Sequence, residues 1–183
     1  MLLRRWLPAA ALAALLALSL GACTPGDTVR TPGRTAVATP LFSSDDEALK
    51  VATDAYAAYL KVTDEVMQDG GRNADRFETV AIGEALSQAM ESAKEFRSSG
   101  VRSTGRSAFD SIRLQSPVRT DSRKVDVYLC DDTSHVDVLD ATGKSIVASD
   151  RRTRIPFAVT VIPRAAGGFV VSERDHWTGA SYC

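Results

Sequence analysis

Acidic side chains that could bind a cation are concentrated in one short stretch of the sequence. With one histidine among them, they are Asp131, Asp132, His135, Asp137 and Asp140. Calcium loops supply oxygen ligands at regular short intervals, and this stretch lacks that spacing. Zinc sites commonly pair closely spaced histidines, and the only other histidine is His176. We therefore predict a solvated turn here, with no metal and no cofactor. Nothing in the sequence pairs either histidine with a nucleophile, and no catalytic set is predicted.

The first of the three cysteines directly follows an export signal. Arg4 and Arg5 precede an apolar stretch from Leu7 to Leu20. It is shorter than the roughly 20 residues of a membrane helix and suits a signal peptide. Ordinary signal peptidases require small residues at positions −1 and −3 from the cut. Ala22 is small, but Leu20 is large, so an ordinary cleavage site is disfavoured.

The segment Leu20–Cys23 resembles the bacterial lipobox, in which a diacylglycerol is attached to the cysteine sulfur. Cleavage between Ala22 and Cys23 then makes the cysteine the new N-terminus. Two acyl chains give stable anchoring where one binds only reversibly. We predict that Cys23 carries the lipid. The alternatives are an ordinary signal with a chance cysteine and an uncleaved anchor.

If Cys23 is lipidated, two cysteines remain for an oxidising compartment. We predict that Cys130 and Cys183 form a disulfide, since such compartments favour pairing of an even count. Two free thiols, or one thiol used in catalysis, are the alternatives. No accompanying histidine pattern favours catalysis.

Composition indicates one domain displayed on a tether. Removing the first 22 of 183 residues leaves 161, with 20 basic and 23 acidic side chains and a net charge of −3. No basic block predicts nucleic-acid binding. Prolines and glycines interrupt residues 23–43, which we interpret as a flexible tether. The folded domain is predicted over 44–183. A short basic run, 150–154, could contact anionic lipid headgroups, although a solvated loop is the simpler interpretation.

The domain begins with helical patterns. Ser44 and Glu47 fit a capping box, and apolar residues then recur every three or four positions up to Gly70-Gly71. A second helical region, 75–98, is predicted to be split at Gly83 and to end at Gly100.

From residue 106 onward the apolar period changes to two, which predicts strands. Alternation is evident around residues 112–116, 125–129 and 136–138, and it is clearest over 155–161. Residues 169–172 follow a Gly167-Gly168 turn and should pair with that strand. Helices followed by antiparallel strands predict an α+β domain, with the N-terminal helices packed in a curved antiparallel sheet.

This order of elements resembles the nuclear transport factor 2-like cone, in particular the secreted actinobacterial lipoproteins built on it. The likeness covers about residues 44–183. It rests on the motifs 82–86, 100–105, 130–134 and 140–144 and on the terminal cysteine. The resemblance implies a cone-shaped sheet with a pocket between sheet and helices. It does not imply a reaction, because the same fold carries enzymes, binding modules and scaffolds.

Enzymes of the resembled fold, ketosteroid isomerase among them, place Asp and Tyr groups in the cone. The resemblance therefore marks Tyr56, Tyr59 and Asp110 as possible pocket residues. Helical spacing on an apolar face also fits both tyrosines as core residues. Asp126 alternates with valines and should point to solvent. Trp177 could form the rim of the pocket or close the core at the end of a strand.

Three functions are consistent with this sequence. The first is a non-enzymatic envelope lipoprotein, anchored to the membrane through its N-terminal lipid, that binds an envelope protein or a ligand. The second is a small-molecule carrier or enzyme that uses the cone pocket. The third is a surface-exclusion or immunity lipoprotein. The anchor and tether without a convergent catalytic set favour the first.

Overall fold

The computed structural model describes residues 40–119, 121–180 and 183. The predicted signal peptide (1–22), Cys23 and nearly all of the predicted tether lie outside these residues. The described residues form an α+β fold of two α-helices, one 3₁₀ helix and six strands.

The helices begin and end close to the predicted positions. Helix α1 spans Asp45–Gln68, the 3₁₀ helix Ala74–Thr79 and helix α2 Gly83–Ser99. Ser44 caps α1 by accepting a 3.1 Å hydrogen bond from the Glu47 N–H. The Glu47 carboxylate binds Ser43 instead of reaching Ser44 as the capping box predicts. The split at Gly83 is confirmed, because α2 starts there after the 3₁₀ turn.

The strands form two antiparallel sheets. They are β1 (Arg102–Gly105), β2 (Ala108–Leu114), β3 (Val125–Asp132), β4 (Val136–Leu139), β5 (Arg154–Pro163) and β6 (Phe169–His176). The larger sheet has the order β2-β3-β5-β6, and the smaller consists of β1 and β4. The α+β class is thus confirmed, but the strands are divided between two sheets and do not form the single curved sheet that we expected.

The division between the sheets occurs at Gly105. This residue has a φ of 81°, and a Cβ placed on it would lie 1.7 Å from the carbonyl oxygen of His135. The chain breaks from strand geometry on both sides of this contact, between β1 and β2 and between β3 and β4. Asp64 on α1 holds the β1–β2 break by accepting hydrogen bonds from the Ser107 N–H and hydroxyl. A close backbone contact and a buried carboxylate therefore separate the two sheets.

The core lies between α1, α2 and the inner face of the larger sheet. Valines and leucine alternate with polar residues along β3, so that Val125, Val127 and Leu129 are buried against the helices. Helix α2 contributes alanines, which allow close approach to the sheet. Burial of this apolar surface at about 25 cal/mol per Å² is the main term that stabilises the domain.

The outer face of the larger sheet carries a disulfide between Cys130 and Cys183, with Cα atoms 5.6 Å apart. The predicted pairing is therefore present in the structure. Trp177 lies on the same face, with its ring centroid 4.5 Å from that of Tyr128, and its indole N–H donates to the Ala180 carbonyl. The C-terminal segment is thus attached to the outer surface of the sheet.

Candidate functional site

Three polar side chains meet in the core between α1 and the larger sheet. The Tyr56 hydroxyl donates a 2.7 Å hydrogen bond to an Asp131 carboxylate oxygen. The Arg174 guanidinium donates to the same hydroxyl through Nε at 2.9 Å, and through Nη2 to the other Asp131 oxygen. Tyr56 is fully buried, and the side chain of Asp131 is 5% exposed. We call these three residues the interior polar cluster.

Strand register explains why Asp131 points inward. It continues the alternation of Val125, Val127 and Leu129, so its side chain lies on the same face as theirs. Tyr56 reaches it from α1, where it lies on the apolar face. The two-residue alternation of β3 therefore places the Asp131 carboxylate beneath α1.

Arg174 reaches the cluster from the far strand. It pairs with Val159 of β5, and a register shift in β6 after Val171 sets this inward orientation. Its guanidinium carbon lies 3.4 Å from the centroid of the Phe157 ring, a stacking contact that guides the side chain across β5 toward Asp131 on β3. Arg174 on β6 thus bonds to both Tyr56 on α1 and Asp131 on β3.

Burial sets the direction of the pKa shift for the tyrosines but not for Arg174. It raises the pKa of Tyr56 well above the ordinary tyrosine value, although the Arg174 charge opposes this shift. Burial likewise raises the pKa of Tyr59. For Arg174, burial disfavours the charged form, but the neighbouring Tyr56 and Asp131 outweigh it, and its pKa lies above the usual arginine value. The tyrosines are therefore neutral and the guanidinium charged at neutral pH.

A small cavity of about 150 Å³ opens between α1 and α2 onto Arg174. Its polar wall includes Thr63, Gln88 and Ser92, and its apolar wall includes Phe77. Tyr59 also lines this space. The cavity is small, since an engineered protein cavity of about this volume holds a single benzene molecule. Tyr56 and Asp131 do not line it.

The four possible pocket residues are separated by the structure. Tyr56 and Tyr59 lie together in the core, with ring centroids 5.9 Å apart. Asp110 does not join them, because it lies in an exposed part of β2 and forms an ion pair with Arg154. Hydrogen bonds from Arg154 hold the pKa of Asp110 below its usual value. Trp177 forms neither a pocket rim nor part of the core, since it packs against Tyr128 on the outer face of the larger sheet.

The acidic stretch does not converge on one point. Asp131 is buried, whereas Asp132 accepts from the Ser134 N–H and Asp137 from the Ser145 hydroxyl. Asp140 stabilises its own turn by accepting from the Thr142 and Lys144 N–H groups. Within the described ranges, no cluster of three or more His, Cys, Asp or Glu side chains is arranged to hold a metal ion.

The basic run at 150–154 is mostly engaged with the protein. Arg151 donates to Thr133 and to the Val136 carbonyl, and Arg154 pairs with Asp110. These contacts leave little of the run to contact a lipid surface. Among the residues that the structure describes, no helix is both long and apolar enough to cross a membrane.

Sequence reasoning missed two of the three cluster residues. Asp131 was grouped with the solvated acids, although the period-two pattern from Val125 could have placed it inside. Arg174 gave no such signal, because the irregularity in β6 near Ser172 interrupts the alternation.

Comparison with known proteins shows the fold alone. No protein-family model matches the sequence, and no curated protein matches it significantly. The structure is similar to the crystal structure of the intermembrane space region of the chloroplast protein ARC6. That match has a TM-score of 0.52 and 15% identity, and it covers 70% of this chain and 95% of that chain.

A second solved structure, from Catenulispora acidiphila, matches with a TM-score of 0.42 and 16% identity. It covers 69% of this chain and 89% of that chain, and the likeness is too distant to carry an argument. The comparison with ARC6 supports an α+β fold of this type.

Proposed function

We propose that this chain is an exported, lipid-anchored envelope protein whose α+β domain is a non-enzymatic module for binding another envelope protein. Cys23 carries the anchor in this proposal, and the residues between it and Leu41 hold the domain away from the bilayer. Leu41 and Phe42 themselves pack against the core of the domain. Binding takes place on the outside of the domain, since the interior is occupied by its own side chains.

The observation that carries this proposal is that the three residues of the interior polar cluster form hydrogen bonds with one another. A general acid or base must expose a titratable group to its substrate within hydrogen-bond reach. Tyr56 is fully buried and Asp131 nearly so, and both are bonded to each other and to Arg174. These groups stabilise packing between α1 and the sheet, which is a structural role.

Two further features support an extracytoplasmic location. The Cys130–Cys183 disulfide is typical of oxidising compartments. The similar ARC6 region belongs to an intermembrane space, so a fold of this type serves outside the compartment of protein synthesis in at least one other protein. Neither feature depends on the lipobox, and both agree with it.

Crosslinking in the cells that make the protein tests the proposal. We expect a cleavable amine- or carboxyl-reactive crosslinker to join the full chain to one reproducible envelope protein. The control is Cys23→Ala, which leaves the domain intact and should lose the adduct because the domain is no longer held at the membrane. Absence of any protein adduct with the wild-type chain would contradict the proposal.

A small-molecule carrier is the second candidate, and the cavity onto Arg174 favours it. Its walls combine an arginine edge, hydroxyls and an aromatic ring, which could hold one small polar molecule. Native mass spectrometry of the protein isolated from membranes separates the two functions. If the protein is a carrier, its native mass should include a bound small molecule. That added mass should disappear in Ser92→Phe, a substitution that fills the cavity. The protein-binding reading predicts no retained mass.

A further inference from the structure

A shallow apolar groove lies on the surface between α2 and the smaller sheet. Its volume is about 340 Å³, and its apolar walls are Phe96, Val101, Val138, Ile146 and Val147. Ile146 is 56% exposed, which is unusual for a large aliphatic side chain in the described part of the chain. The groove thus gathers a small apolar surface in one place, where apolar side chains of another chain can enter.

Two exposed arginines lie beside this groove, and a third lies past the other end of β1. Val101 is shared with a polar cleft that contains Arg97 and Arg102, and Arg102 is shared with a hollow that contains Arg106. Within the described residues, none of these three arginines forms an ion pair. We call the groove together with these arginines the distal surface.

Nearby carboxylates offset only part of the positive charge of the distal surface. Asp69 is paired with Arg72, whereas Asp140 keeps its negative charge while it accepts hydrogen bonds from the backbone N–H groups of its own turn. Glu95 lies on the groove rim and adds one negative charge. The C-terminal end of α2 is partially negative and favours Arg97, but Arg102 and Arg106 lie on or after β1 and have no such helix-end role.

The distal surface lies at the opposite end of α1 from the point where the chain enters the domain. The chain reaches α1 at Ser44, whereas Gln68, the last residue of α1, lines the cleft with Arg97 and Arg102. A helix of 24 residues is roughly 36 Å long. The distal surface is therefore remote from the point where the chain enters the domain, which leaves it accessible to other envelope proteins.

We infer that the distal surface docks an acidic, amphipathic segment of a partner protein. Apolar side chains of that segment enter the groove around Ile146, and its carboxylates pair with Arg97, Arg102 and Arg106. Arginine suits this role because its planar guanidinium binds a carboxylate through two parallel hydrogen bonds. This inference rests on the proposed function, and it specifies the site and the chemistry of the partner.

The test places a photo-crosslinking amino acid at single positions of the full chain in the cells that make it. Position 146 samples the distal surface, and the exposed positions 50 and 175 sample α1 near its start and the end of β6. We expect a protein adduct from position 146, with the attachment mapped by mass spectrometry to an acidic segment that also carries apolar residues. Positions 50 and 175 should give little or none.

Charge reversal supplies the matched comparison. R97E/R102E should reduce the adduct from position 146 at least about fivefold, since close charge pairs contribute strongly to interface affinity. R123E/R152E is the control, because it makes the same charge change at two exposed arginines, in the loops before β3 and before β5. It should leave the adduct unchanged. Circular dichroism melting of each variant should match the wild type, and in isolated membranes the wild-type adduct should fall as salt rises.

The outcomes separate the two proposals. Adducts from position 50 or 175 but not from 146 would overturn the distal surface and leave the proposed function standing. An adduct from 146 that consists of lipid, or one that is indifferent to R97E/R102E, would also overturn it. Absence of protein adducts from all three positions would contradict the proposed function itself.

Discussion

Asp131 places a carboxylate within the apolar interior, and its position depends on two partners from distant parts of the chain. Tyr56 precedes it by 75 residues and Arg174 follows it by 43. Desolvating a carboxylate is costly unless its oxygens are bonded, and here both oxygens are. The interior polar cluster therefore fixes the relative positions of α1, β3 and β6. It adds less net stability than an apolar set of the same shape.

Removing both charges of this cluster should cost less than the sum of the losses from removing each one alone. We expect Asp131→Leu and Arg174→Met each to lower the free energy of unfolding by about 3 kcal/mol, because each leaves a buried partner uncompensated. The double variant should lose less than the sum of the two, with a coupling of about 1–3 kcal/mol. Urea unfolding measures all three. Arg154→Met, which breaks the exposed pair with Asp110, serves as the control and should change the value by less than about 1 kcal/mol.

Tyr56 predicts how stability depends on alkaline pH. Because burial raises its folded-state pKa above that of the unfolded chain, the unfolded state loses its proton first. Stability from this group is thus complete below about pH 10 and declines as pH rises further. Tyr56→Phe should cost about 1–2 kcal/mol at pH 7 and should flatten the decline above pH 10 by at most about 1.4 kcal/mol per pH unit.

Denaturant unfolding at several pH values between 9 and 12 tests this. Tyr59, whose pKa is also raised, should leave part of the slope in the Tyr56→Phe variant. An identical slope in wild type and variant would show that Tyr56 ionises as easily in the folded domain as in the unfolded chain.

At the scale of elements, local sequence signals predicted where the helices begin and end, because helix termini depend on interactions between neighbouring residues. Ser44 marked the start of α1, and Gly83 marked the joint before α2, because caps and positive φ values leave recognisable residues. The division into two sheets was missed. It depends on the approach of Gly105 to the His135 backbone and on Asp64 binding Ser107, which are contacts between residues distant in sequence.

Glycine at position 71 holds the two helices together at their C-terminal ends. Its φ is 74°, and a Cβ there would lie 1.9 Å from the Ala93 carbonyl oxygen on α2. Gly71→Ala should therefore lower the free energy of unfolding by about 3 kcal/mol or more, since backbone must move as well as adopt strain. Gly100→Ala is a matched control with a φ of 67° and open space around it.

We expect the control to cost only about 1–2 kcal/mol, the penalty for a left-handed non-glycine residue. Thermal melting of both variants distinguishes clash from strain. Equal losses would mean that α1 and α2 are not in close contact at this point.

At the scale of the whole molecule, the disulfide connects the last residue to the outer face of the larger sheet. The chain-entropy model gives about 4 kcal/mol as its upper contribution for a loop of 53 residues. Cysteine count and compartment were enough to predict this pairing. Sequence could not show that the bridge would bring Trp177 against Tyr128, because that contact depends on the path of the C-terminal segment.

Cys183→Ser should loosen that segment. Of the two tryptophans in the sequence, only Trp177 lies outside the predicted signal peptide, so fluorescence of the mature chain reports on it. We expect a red-shifted emission as the ring leaves Tyr128 and gains water, together with a loss of up to about 4 kcal/mol in the free energy of unfolding. Wild-type protein that is denatured, reduced and then refolded in the presence of reductant should behave in the same way. An unshifted emission would show that the aromatic contact holds without the disulfide.

In our proposal the domain works as a binding module held at the membrane through Cys23. The most direct measurement is fractionation of crosslinked cells that carry either the wild-type chain or Cys23→Ala, with immunoblotting for the chain and its adduct. We predict that the wild-type chain and one protein adduct are found in the membrane fraction. The variant should lack the lipid, appear outside the membrane fraction and lose the adduct. A Cys23→Ala chain that is processed, membrane-bound and crosslinked like the wild type would contradict the account.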